Sequence, residues 1–334
     1  MPVLLINFHV PMNDARWKLL RDALPGMEMI YCKEPGPTLD QLARADFILG
    51  NPVPASLKHC RNLKLLQLRS AGADGYVNGE VPEGVVLATS GGSLAHSVSE
   101  HMLGMLLAMM KHLDVYSRNM SEGIWKDAGP ARTIVDATTL IVGLGSLGTE
   151  FAWRMKALGS HVIGVRRAGT DKPDSVDELY LSGQLDQLLP RADFLALFLP
   201  GTSATRNLMD RRRLGLMKDD AYILNAGRGS AIDQEALCDL MDAGKFAGAG
   251  LDVTVPEPLP PSHRLWKTPR VLVCPHIAGT NHLAVTGDYI VQIAARNIAA
   301  FLSGGELSSV IDLSTGYRKL PPRLPKPLSQ RGIP

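Results

Sequence analysis

A chain of 334 residues exceeds the usual size of a single hydrophobic core, so two domains of roughly 100 to 200 residues each are expected. Hydrophobic residues make up 45% of the chain and charged residues 20%, values that are ordinary for a globular protein and exclude fibrous and disordered classes. The net charge of +2 does not indicate the clustered basic surface that nucleic-acid binding needs, so no nucleic-acid partner is expected.

The distribution of cysteine and apolar residues indicates a cytoplasmic protein with neither a metal site nor a membrane partner. The four cysteines are widely spaced and form neither a C-x-x-C pair nor a metal-ligand cluster. The N-terminal sequence MPVLLINFHV lacks a basic region and has only a short apolar run, so it predicts a first strand and not a signal peptide. No later segment approaches the roughly 20 apolar residues that a membrane span needs.

The first part of the chain alternates short apolar runs with helical stretches, which predicts a parallel α/β architecture. The expected strands are Val3–Phe8, Met27–Tyr31, Phe47–Leu49, Leu65–Leu68 and Val85–Ala88. A long stretch from Ser97 to Asn119 then has apolar residues at helical spacing. We interpret this stretch as one helix that crosses between the domains.

From Thr138 onward the alternation restarts, which predicts a second doubly wound parallel sheet. Its strands are expected in the segments TTLIVG, HVIGV, ADFLALFLP, AYILNAG, GAGLDV and VLVCPH. A last helix is expected over Leu283–Ser303. The final residues, 315–334, are rich in Pro, Lys and Arg, a composition typical of a mobile tail.

A glycine motif follows the first strand of this second sheet. The segment TTLIVG runs into Gly143-Leu-Gly145-Ser146-Leu147-Gly148, and a helical stretch and the strand HVIGV come next, which is the dinucleotide-binding fingerprint in its context. Gly143 permits the tight turn, Gly145 lets the backbone approach the pyrophosphate, and Gly148 allows close helix packing. The anion would lie at the helix N-terminus, beside Ser146 and Leu147. The alternative is a glycine-rich turn without a ligand, which the complete order of elements disfavours.

Two arginines at the end of the strand HVIGV bear on the choice of cofactor. Arg166 and Arg167 stand about 20 residues after the glycines, where an acidic residue would bind the ribose hydroxyls of NAD. Guanidinium groups can pair with a 2′-phosphate, so charge and hydrogen bonding favour NADP. The alternative is a pair of solvated loop arginines, which leaves NAD possible.

Three later loops each follow an expected strand end, where ligand-binding groups collect in a parallel sheet. They carry Arg228 in NAGRG, Glu257 in PEP, and His276 in CPHIAG. Oxidising a 2-hydroxy acid needs a base for the hydroxyl proton, a cation for the carboxylate and carbonyl, and a fixed geometry. One His, one Arg and one Glu can supply these, although each alone is more often a turn or capping residue. We interpret other histidines as packing or surface groups, among them His96, His101 and His112.

The chain from about Val3 to Asp312 resembles the D-isomer-specific 2-hydroxyacid dehydrogenase family. The resemblance rests on GLGSLG, LFLPGTSATRNLMD, ILNAGRGSAIDQEAL, AGAGLDVTVPEPLP followed by LW, and CPHIAG, in the family's order. It implies two doubly wound parallel-sheet domains, one flavodoxin-like and one Rossmann, with the active site in the cleft between them. The substrate-binding domain is expected at 1–97 and 284–314, the NAD(P)-binding domain at 98–283, and the tail at 315–334.

The resemblance also implies roles for the site residues. His276 is the acid/base, Glu257 its carboxylate partner, and Arg228 the clamp beside the reacting carbonyl. These roles are chemically sensible, because a carboxylate stabilises a protonated imidazole and a guanidinium offers a planar donor fork to an oxyanion. Further cofactor contacts are expected at Leu199, Pro200, Thr205, Ala226, Asp252, His276 and Gly279. Further substrate contacts are expected at the backbone amides of Ala71, Gly72 and Ala73, with Asn51 and Val53 as candidate lining residues.

Arg166 in place of the commoner Asp is similar to NADPH-dependent glyoxylate and hydroxypyruvate reductases of the family, so reduction of a small 2-oxo acid is the favoured activity. Two alternatives stay open: a dehydrogenase of other specificity on the same fold, such as formate or phosphite oxidation, and a non-enzymatic dinucleotide-sensing regulator. Glu257 disfavours the formate type, which has a Gln-His pair, and the intact trio disfavours the regulator. The family further implies a homodimer built around the long helix and the segment containing Trp125.

Overall fold

The computed structural model describes residues 1–7, 9–280 and 283–319 of the chain. The chain divides into two compact units. Unit 1 comprises Met1–Leu94 together with the described residues from Thr280 onward, and unit 2 comprises Ala95–Gly279. Most of the expected tail, residues 320–334, lies outside the described residues.

The regular elements of both units follow each other in βα alternation. The strands are β1 Val3–Ile6, β2 Glu28–Tyr31, β3 Phe47–Leu49, β4 Leu65–Gln67, β5 Val86–Ala88, β6 Thr138–Val142, β7 His161–Arg166, β8 Glu178–Leu181, β9 Phe194–Leu197, β10 Tyr222–Asn225, β11 Gly248–Leu251 and β12 Val271–Val273. The α-helices are α1 Asp14–Ala23, α2 Leu39–Arg44, α3 Ala95–Met110, α4 Leu113–Ser121, α5 Ser146–Ala157, α6 Leu185–Leu188, α7 Arg211–Leu216, α8 Gln234–Asp242 and α9 Ala284–Ser303.

Unit 1 is built on a parallel sheet with the strand order β2-β1-β3-β4-β5. Side chains of successive residues point to opposite faces, so Leu5 and Ile48 enter one core while Leu4 and Phe47 enter another. Helix α9 covers the second of these cores. Both faces of the sheet are therefore buried, which explains why its strands are almost continuously apolar.

Unit 2 is built on a longer parallel sheet, with the strand order β12-β11-β10-β9-β6-β7-β8. The order reverses between β6 and β9, and ligands of open α/β sheets bind at the carboxyl ends of the strands at such a point. The prediction of two doubly wound parallel sheets is confirmed.

Three local predictions were wrong or incomplete. Strand β8 was not predicted, because it is an edge strand of four residues, none of which is buried. The single helix expected over Ser97–Asn119 is two helices, since His112 has a left-handed backbone with a φ of 55° between α3 and α4. The first tail residues are held in place, because Arg318 forms an antiparallel bridge with Ile311.

In the described ranges of the chain, none of the helices is long and apolar enough to cross a membrane.

Candidate active site

The glycine turn after β6 is shaped by backbone contacts that exclude larger side chains. Gly143 has a φ of +104°, and a Cβ there would lie 2.5 Å from the carbonyl oxygen of Phe198. A Cβ at Gly148 would lie 2.1 Å from the carbonyl oxygen of Gly143. At Gly145, in contrast, a Cβ would have no neighbour within 4 Å. The first and third glycines are therefore required by packing, whereas the second leaves an open approach to the backbone.

The N-terminus of α5 follows this turn directly. Gly145 is the N-cap residue of α5, and Ser146 and Leu147 begin its first turn, where helix geometry directs amides out of the helix end. Such amides, together with the helix dipole, favour an anion. The turn therefore fits a dinucleotide pyrophosphate, which could approach over Gly145.

The two arginines at the end of β7 differ in their environment. Arg166 donates from Nε to the carbonyl oxygen of Gly169 at 3.0 Å and from Nη2 to that of Asp171. Burial lowers the pKa of its guanidinium, and the nearby Asp171 acts in the opposite direction. Arg167 is exposed. A guanidinium has five N–H donors, and these two bonds use two of those of Arg166.

The loop after β9 lies between two of the other strand ends. A Cβ at Gly143 would lie 3.4 Å from Leu199 Cδ2, and a Cβ at Gly227 would lie 2.4 Å from the amide nitrogen of Leu199. The buried Thr205 donates from Oγ1 to the carbonyl oxygen of Pro200 at 2.6 Å and so closes the loop on itself. Thr205 thus shapes the loop that Leu199 and Pro200 present.

Arg228 is carried on a loop that Asn225 braces from within. The side chain of Asn225 donates to the carbonyl oxygen of Arg228 at 3.0 Å and accepts from the amide of Gly227 at 3.1 Å. A Cβ at Gly229 would lie 2.2 Å from the carbonyl carbon of Thr254, so the loop packs tightly against the loop that carries Glu257. The backbone that carries Arg228 is therefore fixed next to the loop that carries Glu257.

Glu257 and His276 form the closest pair of titratable groups among the predicted catalytic residues. His276 Nδ1 lies 2.8 Å from Glu257 Oε2, and Glu257 Oε1 accepts from the amide of Thr254 at 3.0 Å. An ionised carboxylate only accepts hydrogen bonds, so Nδ1 carries a hydrogen and Nε2 is the nitrogen that can exchange a proton. Both side chains are exposed, at 47% for His276 and 39% for Glu257, so a substrate can reach them.

Asp252 stabilises the loop that carries His276. Its side chain is 3% exposed, and its carboxylate accepts from the amides of Ile277 at 2.9 Å and Ala278 at 3.2 Å. Helix α3 also reaches the loop, since Ser97 Oγ donates to the carbonyl oxygen of Ala278 at 2.6 Å. His101 Nε2 lies 3.9 Å from Asp252 Oδ1. The carboxylate of Asp252 is therefore directed at the backbone of the loop.

In unit 1, the glycine loop after β4 has a similar internal brace. Asn51 accepts from the amide of Arg69 at 3.0 Å and donates to Ser70 Oγ at 2.9 Å, while Ser70 Oγ donates to the carbonyl oxygen of Gly72 at 2.7 Å. Within the described ranges, the amides of the loop residues donate to no protein acceptor; these residues are Ala71, Gly72 and Ala73. The loop thus offers backbone donors to an anion.

Comparison with known proteins decides the family. Residues 103–278 match the model of the D-isomer specific 2-hydroxyacid dehydrogenase NAD binding domain. Glyoxylate/hydroxypyruvate reductase B of Pectobacterium carotovorum subsp. carotovorum is 32% identical over 280 residues, which cover 80% of this chain and 86% of that protein. This chain belongs to the D-isomer-specific 2-hydroxyacid dehydrogenase family.

Solved structures agree with this assignment. An NADPH-dependent glyoxylate/hydroxypyruvate reductase from Sinorhizobium meliloti, in complex with NADP and sulfate, is 27% identical with a TM-score of 0.79, covering 95% of this chain and 100% of that one. A family member from Xanthobacter autotrophicus Py2, in complex with NADPH and MES, is 26% identical with a TM-score of 0.81, covering 95% and 99%. The dehydrogenase is an oxidoreductase that acts on the CH–OH group of hydroxy acids with a nicotinamide dinucleotide.

The predicted site residues of unit 2 all lie at the carboxyl edge of its sheet or on loops that follow it. Two bracing residues of the dehydrogenase were not recognised as such in the sequence: Asn225 and, in unit 1, Asn51. Asn225 is the last residue of the buried strand β10, and Asn51 stands two residues after the buried strand β3; this position at a carboxyl end is the signal that could have identified them. Of the predicted lining residues, Asn51 uses its side chain within unit 1, and Val53 is 71% exposed.

Proposed function

We propose that this dehydrogenase reduces a small 2-oxo acid, glyoxylate or hydroxypyruvate, with NADPH. The observation that carries the proposal is the pairing of His276 Nδ1 with Glu257 Oε2 at 2.8 Å, because it leaves Nε2 as the proton-exchanging atom on an exposed ring. A histidine oriented by a carboxylate is the general acid/base arrangement that this reaction needs. The relatives' names, glyoxylate and hydroxypyruvate reductase, support the substrate class.

In this proposal each catalytic residue has a separate task. When bound, the nicotinamide group supplies the hydride. His276 donates its Nε2 proton to the carbonyl oxygen of the substrate, and Glu257 stabilises the imidazolium ring that exists before this transfer. Arg228 provides a cation beside the reacting carbonyl and favours the negative charge that develops on its oxygen. In the oxidation direction the neutral Nε2 accepts the proton.

Substrate and cofactor would be held mainly by backbone groups. The unpaired amides of the Ala71–Ala73 loop would bind the substrate carboxylate. The pyrophosphate would lie over Gly145 at the start of α5, with the adenosine end near the Leu199 loop. Arg166 and Arg167 would bind the 2′-phosphate, which gives the NADP preference, and complexes of the solved relatives with NADP and NADPH support this choice.

The activity is tested by following the nicotinamide absorbance of purified protein with NADPH and a panel of glyoxylate, hydroxypyruvate, pyruvate and bulkier 2-oxo acids. We expect turnover with glyoxylate and hydroxypyruvate. We also expect a lower kcat/KM when NADH replaces NADPH. Absence of turnover with every acid would contradict the proposal and would favour a dinucleotide-sensing regulator.

We also propose that the protein is a cytoplasmic homodimer. Its cysteines are all unpaired, as expected in a reducing compartment. Helix α4 has no buried residue, although Leu113 and Met120 on it are apolar and 55% and 78% exposed. Trp125, which follows the helix, is fully exposed. Apolar side chains gathered in this way favour burial against a second subunit.

A further inference from the structure

Arg69 is a cation that the proposed mechanism does not use, and it stands beside the glycine loop of unit 1. Its side chain is partly buried, and its Nε atom is buried without a hydrogen-bond partner in the described part of the chain. Burial lowers the pKa of its guanidinium, and Tyr76 nearby acts in the opposite direction. Burying an N–H group without a hydrogen-bond acceptor costs free energy. A bound ligand that accepts a hydrogen bond would explain why this group is retained.

Two titratable side chains of the described residues interact electrostatically with Arg69, namely Tyr76 and His9. Burial raises the pKa of Tyr76 to about 12, against the opposing effect of Arg69, so the phenol is neutral at physiological pH. Tyr76 donates its hydroxyl proton to the carbonyl oxygen of Pro52 at 2.6 Å. Burial and then the charge of Arg69 lower the pKa of His9, which Glu34 partly offsets. Neither Tyr76 nor His9 supplies a negative charge to the guanidinium.

The position of Arg69 in the sheet is that of a ligand-binding residue. It follows the carboxyl end of β4, while His9 follows β1 and Asn51 follows β3. In the sheet order β2-β1-β3-β4-β5 the strand order reverses between the parallel strands β1 and β3, and ligands of doubly wound sheets bind at that point. Asn51 accepts from the Arg69 amide at 3.0 Å, so the backbone under the guanidinium is fixed.

We propose that Arg69 binds a second anionic group where the substrate has one, so that the enzyme also accepts 2-oxo acids with a carboxylate beyond the carbonyl carbon and prefers them to their uncharged counterparts. The inference rests on the proposed function, in which the amides of Ala71, Gly72 and Ala73 take the first carboxylate. Arg69 and these amides belong to the same loop after β4, two to four residues apart, which is the juxtaposition that the proposal uses. Arg69 sets specificity here, and proton transfer stays with His276.

The kinetic test compares oxaloacetate with pyruvate, which differ by one carboxylate on the methyl carbon. With NADPH, the wild type is expected to have a kcat/KM for oxaloacetate at least 10-fold above that for pyruvate. Arg69→Gln should lower this ratio roughly 10- to 100-fold, because a charge-assisted hydrogen bond is lost with only one of the two acids. Arg69→Lys should keep part of the preference, since it retains the charge.

Arg61→Gln is the matched control, because it removes the same charge at an exposed position that precedes β4, at the opposite edge of the sheet. Its ratio should equal that of the wild type. An unchanged ratio in Arg69→Gln, an equal loss with both acids, or a wild type without preference for oxaloacetate would each overturn the proposal.

A binding measurement separates this proposal from the proposed function. Calorimetry on the full chain with NADPH, where neither hydroxy acid can react, compares tartronate with glycolate. Tartronate should bind more tightly, and Arg69→Gln should remove the difference. If the wild type reduces no 2-oxo acid but this difference is present, the proposed reaction fails and the anion site stands. If Arg69→Gln leaves tartronate binding unchanged, the anion site is refuted whatever the activity.

Discussion

His276 is held in its position by the backbone as well as by Glu257. Its φ of 53° lies in the left-handed region, which costs a non-glycine residue on the order of 1–3 kcal/mol. The amide of His276 donates to the carbonyl oxygen of Asp252 at 2.8 Å, and the Asp252 carboxylate accepts from the next two amides. The ring orientation therefore depends on a buried carboxylate that need not touch the substrate.

Replacing the acid/base group separates chemistry from folding. His276→Asn should lower kcat for glyoxylate reduction by about 10²- to 10⁴-fold, because the proton donor is lost. The melting temperature should stay close to that of the wild type, since the side chain is exposed and asparagine tolerates the left-handed backbone. Steady-state kinetics and thermal unfolding measure the two effects. Full activity in this variant would rule out His276 as the acid/base.

The arginines after β7 allow a similar test of cofactor choice. Replacing both Arg166 and Arg167 with Gln should raise the Kd for NADPH roughly 10- to 100-fold and change the Kd for NADH much less, because only NADPH has the 2′-phosphate. Fluorescence titration of the two cofactors measures this. Arg167→Gln alone is the control for loop folding, because the bonds from Arg166 to Gly169 and Asp171 persist. Equal losses for both cofactors would contradict phosphate recognition.

At the scale of elements, helix α5 and the turn before it form one unit with β6. The carbonyl oxygen of Gly143 occupies the space where a side chain of residue 148 would begin, at 2.1 Å. Helix α3 makes a comparable contact with β11, where a Cβ at Gly248 would lie 3.1 Å from Met109 Sδ. In both places the missing side chain of glycine lets a helix lie close to a strand or turn.

The pair Gly148→Ala and Gly145→Ala tests this account of the turn. Gly148→Ala should lower the free energy of unfolding by about 1–3 kcal/mol and weaken cofactor binding, because α5 must shift. Gly145→Ala should leave the free energy of unfolding nearly unchanged, since its φ is −77° and its Cβ would meet nothing within 4 Å. It should still weaken cofactor binding, because a methyl group would occupy the approach of the pyrophosphate.

Urea unfolding and cofactor titration of the two variants give the answer together. If Gly145→Ala bound the cofactor as tightly as the wild type, the open backbone at this position would not be the pyrophosphate site. If Gly148→Ala were as stable as the wild type, the close contact with Gly143 would not restrict the helix.

At the scale of the whole molecule, α4 and the segment after it carry a close succession of exposed apolar side chains, including Leu113, Met120 and Trp125. Under the dimer proposal, replacing both Met120 and Trp125 with Glu should convert the dimer to a monomer at micromolar concentration, because two charges would be buried in the interface. Leu39→Glu is the control, since Leu39 is 62% exposed on α2 in the other unit. Analytical ultracentrifugation measures the mass. A monomeric wild type would refute the dimer, and a dimeric double variant would refute this surface as its interface.

The sequence by itself determined the two parallel sheets and the identity of the cofactor turn. Buried parallel strands are continuous apolar runs, and a glycine fingerprint is a local pattern, so both can be recognised without knowing the fold. The sequence also placed Arg228, Glu257 and His276 in loops that follow expected strands. It did not give the distances between their side chains. Edge strand β8 and the break at His112 were missed, because a four-residue strand without buried positions and a single left-handed residue leave no periodic signal.

Only the tertiary structure decided which groups meet and which stay without partners. Glu257 and His276 are 19 residues apart, and they reach 2.8 Å because the loops after β11 and β12 lie side by side in the sheet. The buried Nε of Arg69 and the unpaired amides of its loop were equally hidden in the sequence. Hydrogen-bond satisfaction depends on atoms brought together from distant segments, so a local pattern of residues does not contain it.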